Sequence, residues 1–350
     1  MGGFFIGGGR KDQIQFAGSY MSKYRFKKFR KYNLFLKDFH ALGKFAPAGY
    51  LATGLALERA EKSFHQGRIP IAGAAVLLNQ NNKLAVVTVG NNGRIPVTAT
   101  KKGYPTDHGE TAAIRAIKNV DQIPWDRVVF ATTLSPCIMC SRTLEYLFNL
   151  GLRRIAVAEA KSFAGTLPRL KKMGFKVVGL TNKFGVNMMR TFATKYPWDW
   201  AADIGEIPAD PIFSKKIPFL VRELKRLLRQ VISIIPKGNK QFPLAAAVID
   251  KHKNIQSLVF DQREKSGHNP TLSAPMLAMG KAGAAVNLRN TVLVVATNKV
   301  NTQKISLEEF GHSSLGACEL FRPAYLVTNV GLDKSLANSL KQAQVNTINI

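Results

Sequence analysis

Apolar positions along this chain recur with two different periods, and the alternation between them predicts the architecture. From Pro47 the stretch AGYLATGLALERAEKSFHQG repeats its apolar residues at helical spacing and stops at Gly67. RIPIAGAAVLL and KLAVVTVG are apolar runs joined by the turn-forming NQNNK, and read as two buried strands. A helix is predicted at HGETAAIRAI, a strand at RVVFATTLS, a helix at CIMCSRTLEYLFNLG, and strands at RRIAVAE and FKVVGLT. Strands alternating with helices predict an α/β sandwich around one sheet.

The order then repeats. FLVRELKRLLRQVISII (219–235) predicts an amphipathic helix with Leu220, Leu224, Leu227, Leu228 and Val231 on one face. It precedes FPLAAAVI, which echoes IPIAGAAV; TVLVVATN echoes RVVFATT, and RPAYLVTNVG echoes LRRIAVAE. YPTDHGETAAIRAIKNV (104–120) and NPTLSAPMLAMGKAGAAV (269–286) share a Pro-Thr pair and both run into a helix. Pro105, Thr106 and Ala131 fall 165 residues before Pro270, Thr271 and Ala296. An internal duplication is the simplest account. The expected organisation is an arm over 1–46, a first domain over 47–206 and a second over 207–350 that includes the basic helix.

Chemistry separates the two copies. The first carries HGE at 108–110 and SPCIMC at 135–140, which together match the H-x-E…P-C-x-x-C pattern of zinc nucleobase deaminases. Cys137 and Cys140, three apart at a helix start, face one side and can reach a single ion, and a helix amino terminus favours thiolates. His108 supplies the third ligand. Three protein ligands leave the fourth tetrahedral position for water, whose pKa zinc lowers to about 7. Glu110 is placed to carry protons rather than to bind metal. A structural zinc site and a CxxC redox pair are the alternatives. The first wants four protein ligands, and the second leaves His-x-Glu unexplained. Aligned through Pro-Thr, His108 falls on Ser273 and Glu110 on Pro275. At the same offset Cys137 and Cys140 fall on Thr302 and Ile305, so no zinc ligand is expected in the second copy.

Residues 50–206 resemble the yeast-type cytosine deaminases. TTLSPCIMC is close to that family's run, and DWAADIGE (199–206) resembles its carboxy-terminal tail. The resemblance implies a cytidine-deaminase-like three-layer α/β/α sandwich, here in tandem as an active-like copy and a pseudo-copy. It implies Zn2+ as cofactor and hydrolytic deamination of cytosine or a cytosine-containing substrate. Asn92 then corresponds to the residue that hydrogen-bonds the pyrimidine, Phe163 to an aromatic of the pocket, and Trp200 and Asp203 to tail residues that close over the base. Because the family's enzymes are dimers, an intramolecular pseudo-dimer is expected. The chain departs from the family at Asn91, where a His is usual, and in the loop from Asn92 to His108, which is longer and holds Arg94, Lys101 and Lys102. Free base, nucleoside and RNA nucleotide therefore all stay open as substrates.

Composition changes the picture in one respect. With 350 residues and 46% apolar, the chain can bury two ordinary cores, but its net charge is +28. The excess is densest in the arm and in residues 207–241, where eight basic residues face two acidic ones. A surface of this kind suits a polyanion. In YMSKYRFKKFRKYNLFLKDFH (20–40), aromatics interleave with Lys23, Arg25, Lys27, Lys28, Arg30 and Lys31, a mixture suited to RNA or a ribonucleoprotein. A basic amphipathic helix docked on the body and an organelle-targeting segment stay open beside it. Three cysteines and no apolar run near the roughly 18–20 residues of a membrane span point to an intracellular, reducing compartment, mitochondrial or else cytoplasmic. Three functions follow: a deaminase anchored to RNA by its arm, a structural component of a ribonucleoprotein such as an organellar ribosome, and an RNA-editing deaminase. The DW…D tail, a lid over a free base, weighs against the third.

Overall fold

Two sheets of five strands organise the chain, and both are built in the same order. The computed structural model describes residues 28–94, 103–208, 210–211, 217, 219–238, 241–283, 286–298 and 304–350. The first sheet comprises β1 (Ala72–Leu78), β2 (Leu84–Asn91), β3 (Val128–Leu134), β4 (Arg154–Glu159) and β5 (Lys176–Gly179), in the order β2-β1-β3-β4-β5. The second comprises β6 (Leu244–Asp250), β7 (Ile255–Phe260), β8 (Thr291–Thr297), β9 (Tyr325–Thr328) and β10 (Asn346–Asn349), in the order β7-β6-β8-β9-β10. In both, the leading hairpin and the next strand pair antiparallel, and the remaining strands run parallel. Each hairpin also carries a register shift, at Ala75/Val76 in one and Val248/Ile249 in the other.

Among the described residues the α-helices are α1 (Ala46–His65), α2 (Gly109–Arg115), α3 (Ile138–Asn149), α4 (Leu167–Lys172), α5 (Lys183–Lys195), α6 (Pro197–Asp203), α7 (Val221–Ser233), α8 (Ala274–Ala282), α9 (Leu307–Phe310), α10 (His312–Phe321) and α11 (Lys334–Gln342). Alternate strand residues serve opposite layers of the first sheet. Val76, Val129 and Ala156 pack with Leu51 and Leu57 of α1, whereas Ala75, Phe130 and Ile155 pack with Ile114 of α2 and Leu144 of α3. Because side chains alternate across a strand, full burial on both faces yields the three layers expected from the sequence. On the second sheet, Leu224, Leu227, Leu228 and Val231 of α7 cover Ala245, Ala247, Val292 and Val294. The copies also share a strand-to-helix tie: Thr88 Oγ1 donates to Ala113 O at 2.6 Å, and Ser257 Oγ to Ala278 O at 2.7 Å.

Two compact units result. One holds the described residues of Met1–Asn92, His108–Pro136 and Leu144–Tyr196; the other holds those of Gly93–Asp107, Cys137–Thr143 and Pro197–Ile350. Within the second unit, the first turns of α3 pack on α10. Thr143 Oγ1 lies 2.9 Å from Ser313 Oγ, Arg142 Nε donates to Glu319 Oε2 at 2.9 Å, and a Cβ on Gly316 would stand 2.7 Å from Met139 Cα.

Of the readings open for the arm, docking on the body describes its rings from Phe29 onward. Lys23, Arg25 and Lys27 lie outside the described residues. From Phe29 onward the chain forms 3-10 turns, and Phe29, Tyr32 and Phe39 are buried in the core of the first unit. Burial pushes the Tyr32 phenol up to about 12, and its hydroxyl donates to Glu61 at 2.8 Å. Lys28 and Lys31 pair with Glu58 and Glu61 at 2.8 and 2.9 Å, while Arg30 is exposed. Glycine explains the seat: a Cβ on Gly54 of α1 would stand 2.3 Å from the Phe29 ring. These aromatics therefore hold the arm on α1 rather than offering platforms for bases. Phe29→Ala is expected to cost about 3–5 kcal/mol of stability, read as a lowered urea midpoint.

Candidate functional site

The sequence placed three metal ligands on two helix starts, and the structure brings them together. His108 is the amino-terminal cap of α2, Cys137 stands one residue before α3, and Cys140 is in its first turn. All three are buried, and their donor atoms lie within 4.8 Å of one another. Thiolate and imidazole ligands bond zinc at about 2.3 and 2.0–2.1 Å, so this spread lets small side-chain shifts close all three on one ion. The donor set, two sulfurs and one nitrogen, fits zinc and leaves a fourth position for another ligand. Among the described residues this is the one cluster of at least three His, Cys, Asp or Glu that could hold a metal.

Glycines set the height of α2 on its sheet. A Cβ on Gly109 would stand 2.5 Å from Ala72 Cα, one on Gly90 2.2 Å from Ala113 N, and one on Gly73 3.0 Å from Glu110 Cα. The helix start thus lies directly against β1. Glu110, in the first turn, is buried, and Thr132 Oγ1 of β3 donates to its Oε1 at 2.9 Å. Asn92 follows β2 and is fully buried, its backbone N–H bonded to Ile71 O at 2.8 Å.

The loop after β4 carries Phe163, half-buried, and is latched to the turn that bears Cys137. Ser135 Oγ donates to Ala164 O at 2.6 Å, and Thr166 donates to Pro136 O through both N–H and hydroxyl, at 2.9 and 3.0 Å. Gly165 has φ +56°, and a Cβ there would stand 2.4 Å from Pro136 O. Buried Glu159 accepts from the N–H groups of Lys161 and Ser162 at 2.8 and 3.0 Å. Ser135, Glu159 and Gly165 were not identified from the sequence; the glycine two residues before the Leu167–Lys172 helix was the signal available. Trp200 and Asp203 lie on α6 in the second unit, half-buried and fully buried respectively. Beside them Arg94 is buried, donating to Ala202 O at 3.1 Å and facing Asp203 and Asp199. Desolvation lowers its pKa, against the pull of the two carboxylates.

The second copy shows what replaced the ligands. Ser273 caps α8 as His108 caps α2. Beyond β8 the constant offset fails: Thr302 lies outside the described residues, Ile305 sits in the connection, and the long helix begins only at His312. The reason is length, since residues 298–311 span the step that 135–137 span in the first copy. By position on α10, Gly311 answers to Cys137 and Ser314 to Cys140. Ser273 Oγ lies 2.6 Å from Ser314 Oγ, and a Cβ on Gly311 would stand 3.0 Å from Ser273 Cβ and 3.3 Å from Arg263 Nη1. Arg263 pairs with Asp261 at 2.8 Å, donates to the carbonyls of Glu308 and Glu309, and lies over Phe242. Asp261 in turn accepts from Ala274 N at 3.0 Å. A guanidinium and two hydroxyls thus occupy the place of the metal ligands. Cys318 is elsewhere on α10, fully buried in the core, and burial pushes its thiol up.

Comparison with known proteins agrees with this geometry. Residues 51–159 match the family model for the cytidine and deoxycytidylate deaminase zinc-binding region. A cytosine deaminase of Candida albicans is 31% identical over 152 residues, which are 43% of this chain and 93% of that protein. A chain from a structural study of A-to-I editing by tRNA:A34 deaminases aligns over 32% of this chain and 78% of its own length, at 24% identity and a TM-score of 0.25. A likeness that slight carries no weight. The purified protein is expected to hold one zinc per chain, not two, and Cys140→Ser to lose it, both read by elemental analysis.

Proposed function

We propose, for a chain that belongs to the cytidine and deoxycytidylate deaminase family and is a zinc-dependent hydrolytic deaminase, that its substrate is cytosine or a cytosine-containing molecule. One observation carries the reading: the buried triad of donors stands beside a buried carboxylate whose orientation Thr132 fixes. Zinc held by His108, Cys137 and Cys140 supplies the Lewis acidity that makes water acidic enough to react at neutral pH. Glu110 is the proton carrier. It takes one proton from the attacking water and passes it to the ring nitrogen, then carries the second proton, from the added hydroxyl, to the amino group, which departs as ammonia and leaves the oxygen on the ring carbon. Asn92 binds the base edge, the Phe163 ring packs on its face, and Trp200 and Asp203 close the pocket, with Asp203 accepting from the exocyclic amine. Cytosine and water thus give uracil and ammonia.

A second reading, contact with RNA or a ribonucleoprotein, is favoured by one face of α7. Arg222, Lys225, Arg226 and Arg229 are exposed on it, while Leu224, Leu227, Leu228 and Val231 are buried against the second sheet. Among the described residues no helix is long and apolar enough to cross a membrane. The two readings coexist in a deaminase tethered to RNA.

Glu110→Ala is expected to lower cytosine deamination by about 10²–10⁴-fold with zinc retained, read by ammonia release. Failure of the zinc-loaded wild type to release ammonia from cytosine or cytidine would overturn the substrate assignment. Four phosphate contacts along α7 predict RNA binding that weakens about 50-fold between roughly 50 and 200 mM salt, while turnover changes little. Retention that ignores salt would remove the second reading.

A further inference from the structure

The tail that carries Trp200 and Asp203 is held by a clasp whose parts come from distant positions in the chain, all within the second compact unit. At its start Arg94 donates to Ala202 O at 3.1 Å, and its guanidinium faces Asp199 and Asp203, one turn apart on α6. At its end α6 stops at Gly205, whose φ is +73°, and a Cβ there would stand 2.2 Å from Leu320 O of α10. Beyond it, the 3-10 turn Leu288–Asn290 and the residue before it run along the outgoing chain. Arg289 donates to Gly205 O, Asn287 Nδ2 to Pro208 O at 3.1 Å, and Asp210 N to Asn290 Oδ1 at 2.7 Å. Arg94, Ala202, Gly205, Ile207, Arg289 and Phe321 line one small cavity at this junction.

We propose that Arg289 and Asn287, with Arg94, are positioning residues of the deaminase: they fix the 197–206 tail so that Trp200 and Asp203 present themselves to the base. The inference rests on the roles given to Trp200 and Asp203 above. Arg94 lies two residues beyond Asn92, so one short segment both contacts the base edge and grips the lid. A guanidinium buried against two carboxylates is costly to desolvate, and replacing well-packed apolar groups by such a pair brings little stability. Its placement beside Asp203 therefore bears on what the carboxylate does. The second copy supplies Arg289, Asn287 and Leu320, and in this way serves the reaction without a metal of its own. None of the three needs to touch substrate.

Loosening the clasp raises the freedom of the tail before binding, a cost charged to substrate affinity rather than to the chemical step. Arg289→Ala and Asn287→Ala are therefore expected to raise KM for cytosine about tenfold while kcat changes less than about threefold and zinc content stays at the wild-type level. Arg289→Lys, which keeps a donor of similar reach, is expected to recover most of the loss. The full-length protein in a Trp198→Phe background provides a readout that needs no turnover. Trp198 is 67% exposed and Trp125 is fully buried, so acrylamide quenching then reports Trp200. Quenching should rise in Arg289→Ala and return toward the wild-type level in Arg289→Lys. Unchanged quenching together with an unchanged KM would overturn the proposal, as would a fall in kcat at constant KM. If the wild type turns over no cytosine, the substrate reading fails by itself, and quenching alone decides whether the clasp exists.

Discussion

Everything at the site depends on two helix starts meeting at one point. Zinc accepts bond lengths within a few tenths of an ångström, so α2 and α3 must be placed more closely than apolar packing alone requires. The chain achieves this with missing side chains. Gly73, Gly90 and Gly109 let the first turn of α2 rest on β1 and β2 with backbone against backbone. On the other helix, Gly316 lets α10 reach the main chain at Met139, between the two cysteines. Each glycine costs conformational entropy on folding, and each cost is offset only if the close approach is needed. The same geometry that seats the ligands puts Glu110 within reach of Thr132. The proton carrier and the metal donors therefore share one constraint.

Much of this was legible in the sequence, and the residues show where legibility ended. Strands of the first sheet read clearly because their runs are buried on both faces. β7 and β10 did not, since Ile255, Asn346, Thr347 and Asn349 are exposed at sheet edges and leave no apolar run. α10 escaped because it is buried almost all round and shows no polar stripe. The ligands were legible because their spacing is chemical, whereas Ser135, Glu159 and Arg289 act through backbone groups that leave no pattern. The arm was legible only as a set of alternatives. Rings alternating with cations suit stacked bases, yet the same rings suit a helix with gaps in its surface. Gly49 and Gly54, inside α1, were those gaps: a Cβ on either would strike Leu42, Phe39 or Phe29. A glycine within a helix costs about 1 kcal/mol relative to alanine, so two of them indicate something pressed close.

The second copy also shows how the corresponding helix starts are filled without metal ligands. Stripping a histidine and two cysteines from a buried point would leave helix ends and a void, and voids and unpartnered polar groups are both destabilising. Ser273 and Ser314 close on each other, and Asp261 takes the N–H of Ala274 at the start of α8. Arg263 fills the remaining space with a guanidinium held by Asp261 and two carbonyls. Ala274, at the place of Gly109, carries a Cβ where the first copy has none. Return to a metal site would therefore require more than restoring three ligands. The arginine would have to leave, and Asp261 would then be a buried carboxylate without its cation, a state costly by several kcal/mol. A copy committed in this way can only be kept for what its surface does. Its contacts run to the cysteine-bearing turn through Gly316, Ser313 and Glu319, and to the 197–208 segment through Arg289 and Asn287.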